Sequence, residues 1–173
     1  MAEPKVCVSL EAITVEEMID EATRANIAGA DYVEVRFDKL YLNKPEPITM
    51  VNDDGEEYSK MPPIEEWGVK DFEEIDVEQA IANLKEGIPV PVVFTARAVR
   101  EGGFFAGTEQ ERLQILEQGI KSEVSFVDLE LSIEKKSRDK LVKLASSSNC
   151  QVIASIHETK ATPSAEEIVT MVK

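Results

Sequence analysis

Histidine and cysteine are scarce in this sequence, which has one histidine and two cysteines among 173 residues. Two cysteines are too few for a secreted disulfide framework. Cys7 and Cys150 each lie in an apolar, strand-like run, which favours reduced thiols packed in a core. No apolar run reaches the ~18 residues of a membrane span, and the first ten residues lack the apolar core of a signal peptide. We therefore expect a cytoplasmic protein.

Basic residues are also few. The chain has 19 lysines and arginines against 34 acidic residues, for a formal net charge of −15. Such a charge repels phosphate groups and argues against nucleic acid or an anionic membrane as a partner. With 43% hydrophobic residues, the chain can bury one sizeable core, and we expect residues 1–173 to form a single domain.

Short apolar, β-branched runs alternate with longer segments of helical periodicity, which is typical of βα units around a parallel sheet. Five strands are predicted, at residues 5–10, 32–36, 90–96, 126–130 and 151–155. The first helix begins after Thr14, an N-cap residue, and is closed by Gly29. The last is expected to have Thr162 as its N-cap and Pro163 at its first position. The helices after the first are predicted at residues 77–85, 109–119, 135–147 and 163–173.

Residues 43–75 are too long and too polar for an ordinary connection, so we interpret them as a surface insertion. Within it, Asp54 and Gly55 separate two strand-like arms, which predicts a β-hairpin. The run NDDGEE lacks the spacing of a calcium-binding loop, so no metal is expected there. As a surface addition it need not disturb a site; the alternatives are that it covers a pocket or forms an interface.

Five parallel βα units cannot close the eight-stranded barrel that such units usually build. The final residues, EEIVTMVK, still follow the helical period, with no capping glycine. Two interpretations stay open at this point. The chain forms an open doubly wound sheet, or it is part of something longer.

Charged residues cluster where the predicted strands end, which is where parallel α/β folds bind ligands. Buried carboxylates there need partners, for which Arg36 and Arg97 are the candidates. Singly, each residue also has a structural explanation, and a lone histidine is more often a bystander than a catalyst. Together they predict a site at one rim. The strand-end residues are Glu34, Arg36, Asp38, Arg97, Arg100, Glu101, Asp128, Glu130, Ser155 and His157.

Four segments resemble type I 3-dehydroquinate dehydratase of the shikimate pathway, and they occur in that family's order: ADYVEVRFDKL, FTARAVREGGFFAGTEQER, FVDLELS and VIASIHETKATPS. The resemblance covers nearly the whole chain outside the insertion. It implies a (β/α)8 TIM-barrel fold, with about five βα units present here. It also implies a lyase that dehydrates 3-dehydroquinate through an imine on a lysine, without metal or coenzyme, and it makes a homodimer the expected assembly.

By matching position, the resemblance implies that Glu34 and Arg36 bind polar groups of the substrate and that Arg97 holds its carboxylate or hydroxyl face. His157 resembles the family's general acid/base, which Glu101 would orient and charge-tune. The supporting residues would be Asp128, Glu130 and Ser155.

One departure bears on activity. The family's imine-forming lysine lies on a sixth strand, and neither Lys160, in the loop beside His157, nor Lys173 matches its position. We therefore expect that lysine beyond the end of this chain, and we expect the 173-residue chain alone to be inactive. Two alternatives remain: a non-catalytic homologue that binds ligand without the lysine, and a different lysine-imine lyase or aldolase that uses Lys160.

Overall fold

The structure is a computed structural model that describes residues 3–171. Within that range the chain forms nine strands and five α-helices. The strands are β1 (Cys7–Ser9), β2 (Tyr32–Arg36), β3 (Leu42–Asn43), β4 (Ile48–Val51), β5 (Glu57–Lys60), β6 (Gly68–Val69), β7 (Val92–Thr95), β8 (Phe126–Glu130) and β9 (Gln151–Ser155). The helices are α1 (Val15–Ile27), α2 (Val77–Gly87), α3 (Glu109–Lys121), α4 (Lys135–Ser146) and α5 (Ala165–Met171).

In the described part of the chain, five strands form one parallel sheet in the order β1-β2-β7-β8-β9. Each strand of this sheet therefore lies beside the strand of the next βα unit. Helices α1 to α4 contact one another in sequence. A doubly wound sheet would reverse its strand order and carry helices on both faces. The sequential order and the contacts between successive helices instead place the helices on one side, as in a (β/α) barrel.

Side chains alternate between the two faces of the sheet. In β8, Val127 and Leu129 are fully buried in the core between sheet and helices, whereas Asp128 and Glu130 face the opposite side. Helix α3 packs closely on the sheet at Gly119, where a Cβ atom would lie 2.7 Å from the ring of Phe94. The charged residues at the strand ends are thus collected on the face away from the helices.

The predicted strands at residues 32–36, 126–130 and 151–155 are confirmed to the residue. The N-cap prediction for α1 is also confirmed, because Thr14 Oγ1 accepts a hydrogen bond from the Glu17 amide at 3.2 Å. Gly29, at φ +96°, follows the helix end as predicted. Strands β1 and β7 are shorter than predicted, and α2 and α3 run two residues further than expected.

The N-cap prediction for the last helix is wrong. Helix α5 begins at Ala165, and its cap is Ser164 rather than Thr162. Ser164 Oγ accepts from the Glu167 amide at 3.3 Å, and a Glu167 carboxylate oxygen accepts from the Ser164 amide at 2.8 Å. This reciprocal pair satisfies two amides that the first turn leaves free, which explains the later start. The predicted end at residue 173 lies outside the described residues.

The predicted hairpin in the insertion is confirmed. Strands β4 and β5 pair antiparallel, and the turn is held by Asn52 Oδ1, which accepts from the amides of Asp54 and Glu56 at 3.1 and 2.8 Å. Gly55 supplies a left-handed residue at φ +82°. At its base, β3 pairs with β6, and the Lys70 amide donates to the Tyr41 carbonyl at 2.7 Å.

Only one cysteine packs as expected. Cys150 is buried, but Cys7 is exposed, so its predicted core packing is wrong. The reason is that β1 is an edge strand of the sheet. In the described residues, we find no helix with both the length and the apolar character that crossing a membrane requires.

Candidate active site

His157 and Glu101 form the contact on which the candidate site is centred. The imidazole lies just after β9, and Glu101 ends a short 3-10 turn at Val99–Glu101 after β7. The distance from His157 Nδ1 to Glu101 Oε2 is 2.9 Å. An ionised carboxylate can only accept hydrogen bonds, so Nδ1 carries the proton of the neutral ring. The Nε2 lone pair of His157 is then available to take a proton from a ligand.

Glu101 is held by a second partner, Ser132, whose hydroxyl donates to the other carboxylate oxygen. The Glu101 side chain is only 7% exposed, whereas that of His157 is 27% exposed. A buried carboxylate bound at both oxygens has little rotational freedom, so it fixes the imidazole in turn. Ser132, just after β8, was not predicted from the sequence.

Arg97 lies among three carboxylates that come from two other strands. Its Nη2 atom is 2.7 Å from Asp128 Oδ2 and 3.5 Å from Glu34 Oε1, and its Nε atom is 3.6 Å from Glu130 Oε1. The prediction that Arg97 would pair with the strand carboxylates is therefore confirmed. The short hydrogen bond to Asp128 sets the direction of the guanidinium, and the longer contacts with Glu34 and Glu130 add electrostatic attraction.

Glu34 is further held by two hydroxyl groups. Ser9 Oγ donates to Glu34 Oε2 at 2.7 Å, and Thr95 Oγ1 donates to Glu34 Oε1 at 2.9 Å. These donors come from the strands on either side of β2, in keeping with the parallel register of β1, β2 and β7. Glu34 therefore bridges three strands at the rim.

Arg36 also pairs with a predicted carboxylate, but that carboxylate is Asp38 and not Glu34 on its own strand. Its Nε and Nη2 atoms instead bind Asp38 at 2.9 and 2.7 Å. Asp38 is not on the strand but in the 3-10 turn Phe37–Tyr41, which brings its carboxylate back onto the guanidinium. Burial lowers the pKa of Arg36, but the hydrogen bond to Asp38 and nearby carboxylates outweigh it and leave that pKa raised.

The sequence interpretation missed Arg112, which is 1% exposed. From α3 it reaches the carboxyl ends of β7 and β8, where its Nη1 lies 2.9 Å from Glu130 Oε2 and 3.0 Å from the Ala96 carbonyl oxygen. Arg112 lies three residues before Ile115, a spacing that places both side chains on the inner side of α3. This spacing is the sequence signal that could have revealed Arg112 as a buried residue. An arginine on a buried helix face needs a carboxylate partner inside the fold.

Glu130 is almost completely enclosed, at 1% exposure. Its pKa is raised, chiefly because burial disfavours the charged form. The positive charges of Arg112 and, less strongly, Arg97 lower this pKa, whereas the negative charges of Glu101 and, less strongly, Asp128 raise it further. Ser155 lies beside Glu130 in the parallel register. Its buried Oγ has no hydrogen-bond partner among the described residues.

Three of these residues could also offer ligands to a metal ion, since donor atoms of Glu101, Glu130 and His157 lie within 4.8 Å of one another. Glu130 faces Arg112, Arg97 and Arg100 at 2.9, 3.6 and 4.0 Å. Guanidinium groups at these distances compete with a metal ion for the same oxygens. The arrangement suits an organic ligand with hydroxyl or carboxylate groups better than a cation.

The insertion lies next to this site. A cavity of about 330 Å³ is lined by Trp67 and Val69 from the insertion and by Gly102, Gly103 and Phe104 from the loop after Glu101, among others. The insertion therefore faces the loop that follows Glu101 across this cavity. Lys160 is exposed in the segment after β9, and Lys173 lies outside the described residues.

Parallel βα units in sequential order, with an acid/base pair and an arginine cluster where the strands end, define a barrel-type α/β protein with a site at its carboxyl rim. The family model for type I 3-dehydroquinase matches residues 6–173. The chain belongs to this type I 3-dehydroquinase family.

Relatives from archaea are named 3-dehydroquinate dehydratase. The one from Methanosarcina barkeri is 27% identical over 164 residues, which are 94% of this chain and 56% of that protein. The one from Methanothermobacter thermautotrophicus is 29% identical over 169 residues, 98% of this chain and 59% of that protein. The chain thus spans a little over half the length of these relatives.

Solved structures share the fold. The 3-dehydroquinate dehydratase of Enterococcus faecalis superimposes with a TM-score of 0.72 at 24% identity, over 98% of this chain and 60% of that one. The type I enzyme of Clostridium difficile, solved with covalently modified comenic acid, superimposes with a TM-score of 0.72 at 24% identity, over 98% of this chain and 57% of that one. The predicted TIM-barrel fold class is confirmed, and the chain covers part of the barrel.

Proposed function

We propose that this chain carries the acid/base and substrate-binding residues of a 3-dehydroquinate dehydratase, the shikimate-pathway lyase that converts 3-dehydroquinate into 3-dehydroshikimate and water. The observation that carries this proposal is the 2.9 Å contact between His157 Nδ1 and Glu101 Oε2 in a chain of this family. It supplies a base whose reactive nitrogen is fixed in direction. We include a cytoplasmic location and a homodimer in the proposal.

In the proposed reaction, His157 Nε2 takes the proton from the carbon next to an imine, and the hydroxyl group on the following carbon then leaves with that proton as water. His157 also serves proton transfers when the imine forms and hydrolyses. The imine draws electrons from the neighbouring carbon, which lowers the barrier to removing that proton. Glu101 acts through His157, as a positioning residue.

The arginines bind the substrate in this proposal. A substrate with one carboxylate and several hydroxyls suits Arg36 and Arg97, because a guanidinium offers two parallel donors to a carboxylate. Glu34 would accept from a hydroxyl of the substrate. The substrate-binding side chains would be held in position by residues deeper in the sheet, namely Asp128, Glu130 and Ser155.

Binding of 3-dehydroquinate tests the substrate assignment. We expect calorimetry to detect binding by the 173-residue chain, and we expect Arg97→Gln to weaken it at least about tenfold because a charge-assisted contact is lost. Arg24→Gln on the exposed face of α1 is the control and should bind normally. Equal loss in both variants, or no binding by the parent chain, would count against the proposal.

The imine-forming lysine is expected on a sixth strand, outside these 173 residues. Intact-mass spectrometry after incubation with 3-dehydroquinate and borohydride tests this placement, with an untreated sample as control. We expect no adduct. A single adduct would mean that a lysine of this chain forms the imine, and Lys160→Met would then show whether it is Lys160.

The mismatch of Lys160 and Lys173 with the family position favours one alternative, a ligand-binding homologue without catalysis. The full dehydratase and this homologue both bind 3-dehydroquinate. Only the dehydratase produces 3-dehydroshikimate, whose ultraviolet absorbance separates the two when longer forms of the protein are assayed.

A further inference from the structure

Asp38 is the most completely enclosed charged residue that the proposed reaction does not use. Its side chain is 0% exposed, and its two oxygens bind two separate parts of the molecule. Oδ1 accepts from Arg36 Nε at 2.9 Å. Oδ2 accepts from Arg36 Nη2 at 2.7 Å and from the Phe104 amide at 3.0 Å.

The first connection sets the direction of Arg36. With Nε and Nη2 bound to one planar carboxylate, the guanidinium is held by two parallel hydrogen bonds, and Nη1 is left for a ligand. The Arg36 side chain is 12% exposed, so it remains accessible at the rim. An arginine held in this way loses less side-chain entropy when it binds a substrate.

The second connection holds the loop that follows Glu101. In this loop Gly102 has φ +76°, and a Cβ atom on Gly103 would lie 2.1 Å from the Arg97 carbonyl oxygen, so the backbone passes very close to its neighbour. The ring of Phe104 lies 5.9 Å from the charged groups of both Arg36 and Lys39. The loop is thus attached to the same turn that carries Asp38.

We propose that Asp38 is a positioning residue that couples the two arms of the site, the substrate-binding Arg36 and the loop that places Glu101 against His157. The identity of the ligand in this inference rests on the proposed function, whereas the coupling of Arg36 to the Glu101 loop through Asp38 does not. A purely structural ion pair would affect stability alone. If Asp38 couples the two parts, its substitution must also change which nitrogen of the His157 ring carries the proton.

The Asp38→Asn variant separates these two cases. Asparagine has a single acceptor oxygen, so its NH2 group must face either Arg36 Nε or the pair formed by Arg36 Nη2 and the Phe104 amide, and this clash between donors displaces the side chain from both partners. Because the chain has a single histidine, the 15N shifts of one imidazole report its tautomer without overlap. We expect the parent chain at pH 9 to carry the proton on Nδ1 and Asp38→Asn to shift a large part of it to Nε2.

Three variants serve as comparisons. Glu101→Gln should lose the Nδ1-bound tautomer directly. Arg36→Lys keeps the Phe104 bond and should leave the tautomer unchanged. Asp139→Asn, which removes an exposed carboxylate paired with Lys135, should also leave it unchanged. If Asp38→Asn does not fold, Asp38→Glu keeps the charge but displaces both bonds, and it should shift the tautomer in the same direction.

The affinity for 3-dehydroquinate completes the test. We expect calorimetry to show a loss of about tenfold or more in Asp38→Asn and in Arg36→Lys, and none in Asp139→Asn. If both Asp38 variants fold and still carry the His157 proton on Nδ1, as the parent chain does, the proposed coupling is wrong. Absence of binding by the parent chain would count against the proposed function, while the ring measurement, made without ligand, would still decide the role of Asp38.

Discussion

His157 Nδ1 and Glu101 Oε2 are 2.9 Å apart although the two residues are 56 positions apart in the chain. The contact exists because β7 and β9 flank β8 in the sheet, so the segments that follow these two strands meet above it. Local sequence pattern places each residue at a strand end. Their pairing depends on strand order.

Removal of Glu101 should destabilise the protein. Glu101→Ala loses the hydrogen bonds to His157 and Ser132, and we expect the free energy of unfolding in urea to fall by about 1 to 3 kcal/mol. Glu117→Ala, whose partner Lys121 is also exposed, should change it by less than about 1 kcal/mol. Equal effects of the two substitutions would contradict the buried role of Glu101.

Arg112→Met should be more damaging, because it leaves the buried carboxylate of Glu130 without its nearest cation. We expect a loss of about 3 to 5 kcal/mol, measured by urea unfolding. The double variant Arg112→Met with Glu130→Gln should recover part of it. No recovery would mean that packing, rather than charge, accounts for the effect.

The pH dependence of Arg112→Met follows from the pKa of Glu130, which burial raises above the ordinary 4.5. A raised carboxyl pKa in the folded state makes ionised Glu130 costly at neutral pH, and the cost is absent below the unfolded pKa. The difference in stability between parent and variant should therefore shrink as the pH falls from 7 towards 4.5. A difference that is constant with pH would rule out Glu130 as the cause.

Cys150 should make the protein less stable in alkali. Burial raises the pKa of its thiol from 9.0 to about 11, so stability is complete below pH 9 and is lost as the pH rises towards 11, where the unfolded chain ionises first. Between pH 8 and 10 the parent should lose about 1 kcal/mol more than Cys150→Ala, by urea unfolding. Equal losses would place the thiol in a solvated position.

Gly103 has no room for a side chain. In Gly103→Ala the new Cβ would lie 2.1 Å from the Arg97 carbonyl oxygen, which the backbone can relieve only by moving the loop. We expect a loss of about 1 to 3 kcal/mol in thermal or urea unfolding. Gly68→Ala, whose nearest neighbour would be 3.6 Å away, should be close to neutral and is the control.

The 173-residue chain should self-associate through an edge of its sheet. Val152 and Ile153 of the edge strand β9 are 36% and 38% exposed, and a parallel edge with apolar side chains pairs readily with another chain. Ile153→Lys should reduce association in sedimentation velocity, whereas Ile48→Lys on the hairpin should not. A monodisperse monomer of the parent chain would contradict this prediction.

The strand-end residues could be assigned to one rim from the sequence because alternation and strand ends are local properties. Apolar runs with period 2 locate the strands, and the charged residues among them must point away from the helices. The hairpin at Gly55 and the cap at Thr14 are local in the same way, and both are confirmed. These features depend on residues only a few positions apart.

The partners of the charged groups were decided by tertiary structure. Arg36 binds Asp38 because a 3-10 turn follows the strand. Arg112 contacts Glu130 from α3, whose position depends on how this helix packs against the sheet. A guanidinium selects a carboxylate by distance and direction in space, and neither is set until strands from distant parts of the chain lie in register. The sequence by itself therefore determined the type of fold and the rim that holds the chemistry. The three-dimensional arrangement alone decided which acid holds which base.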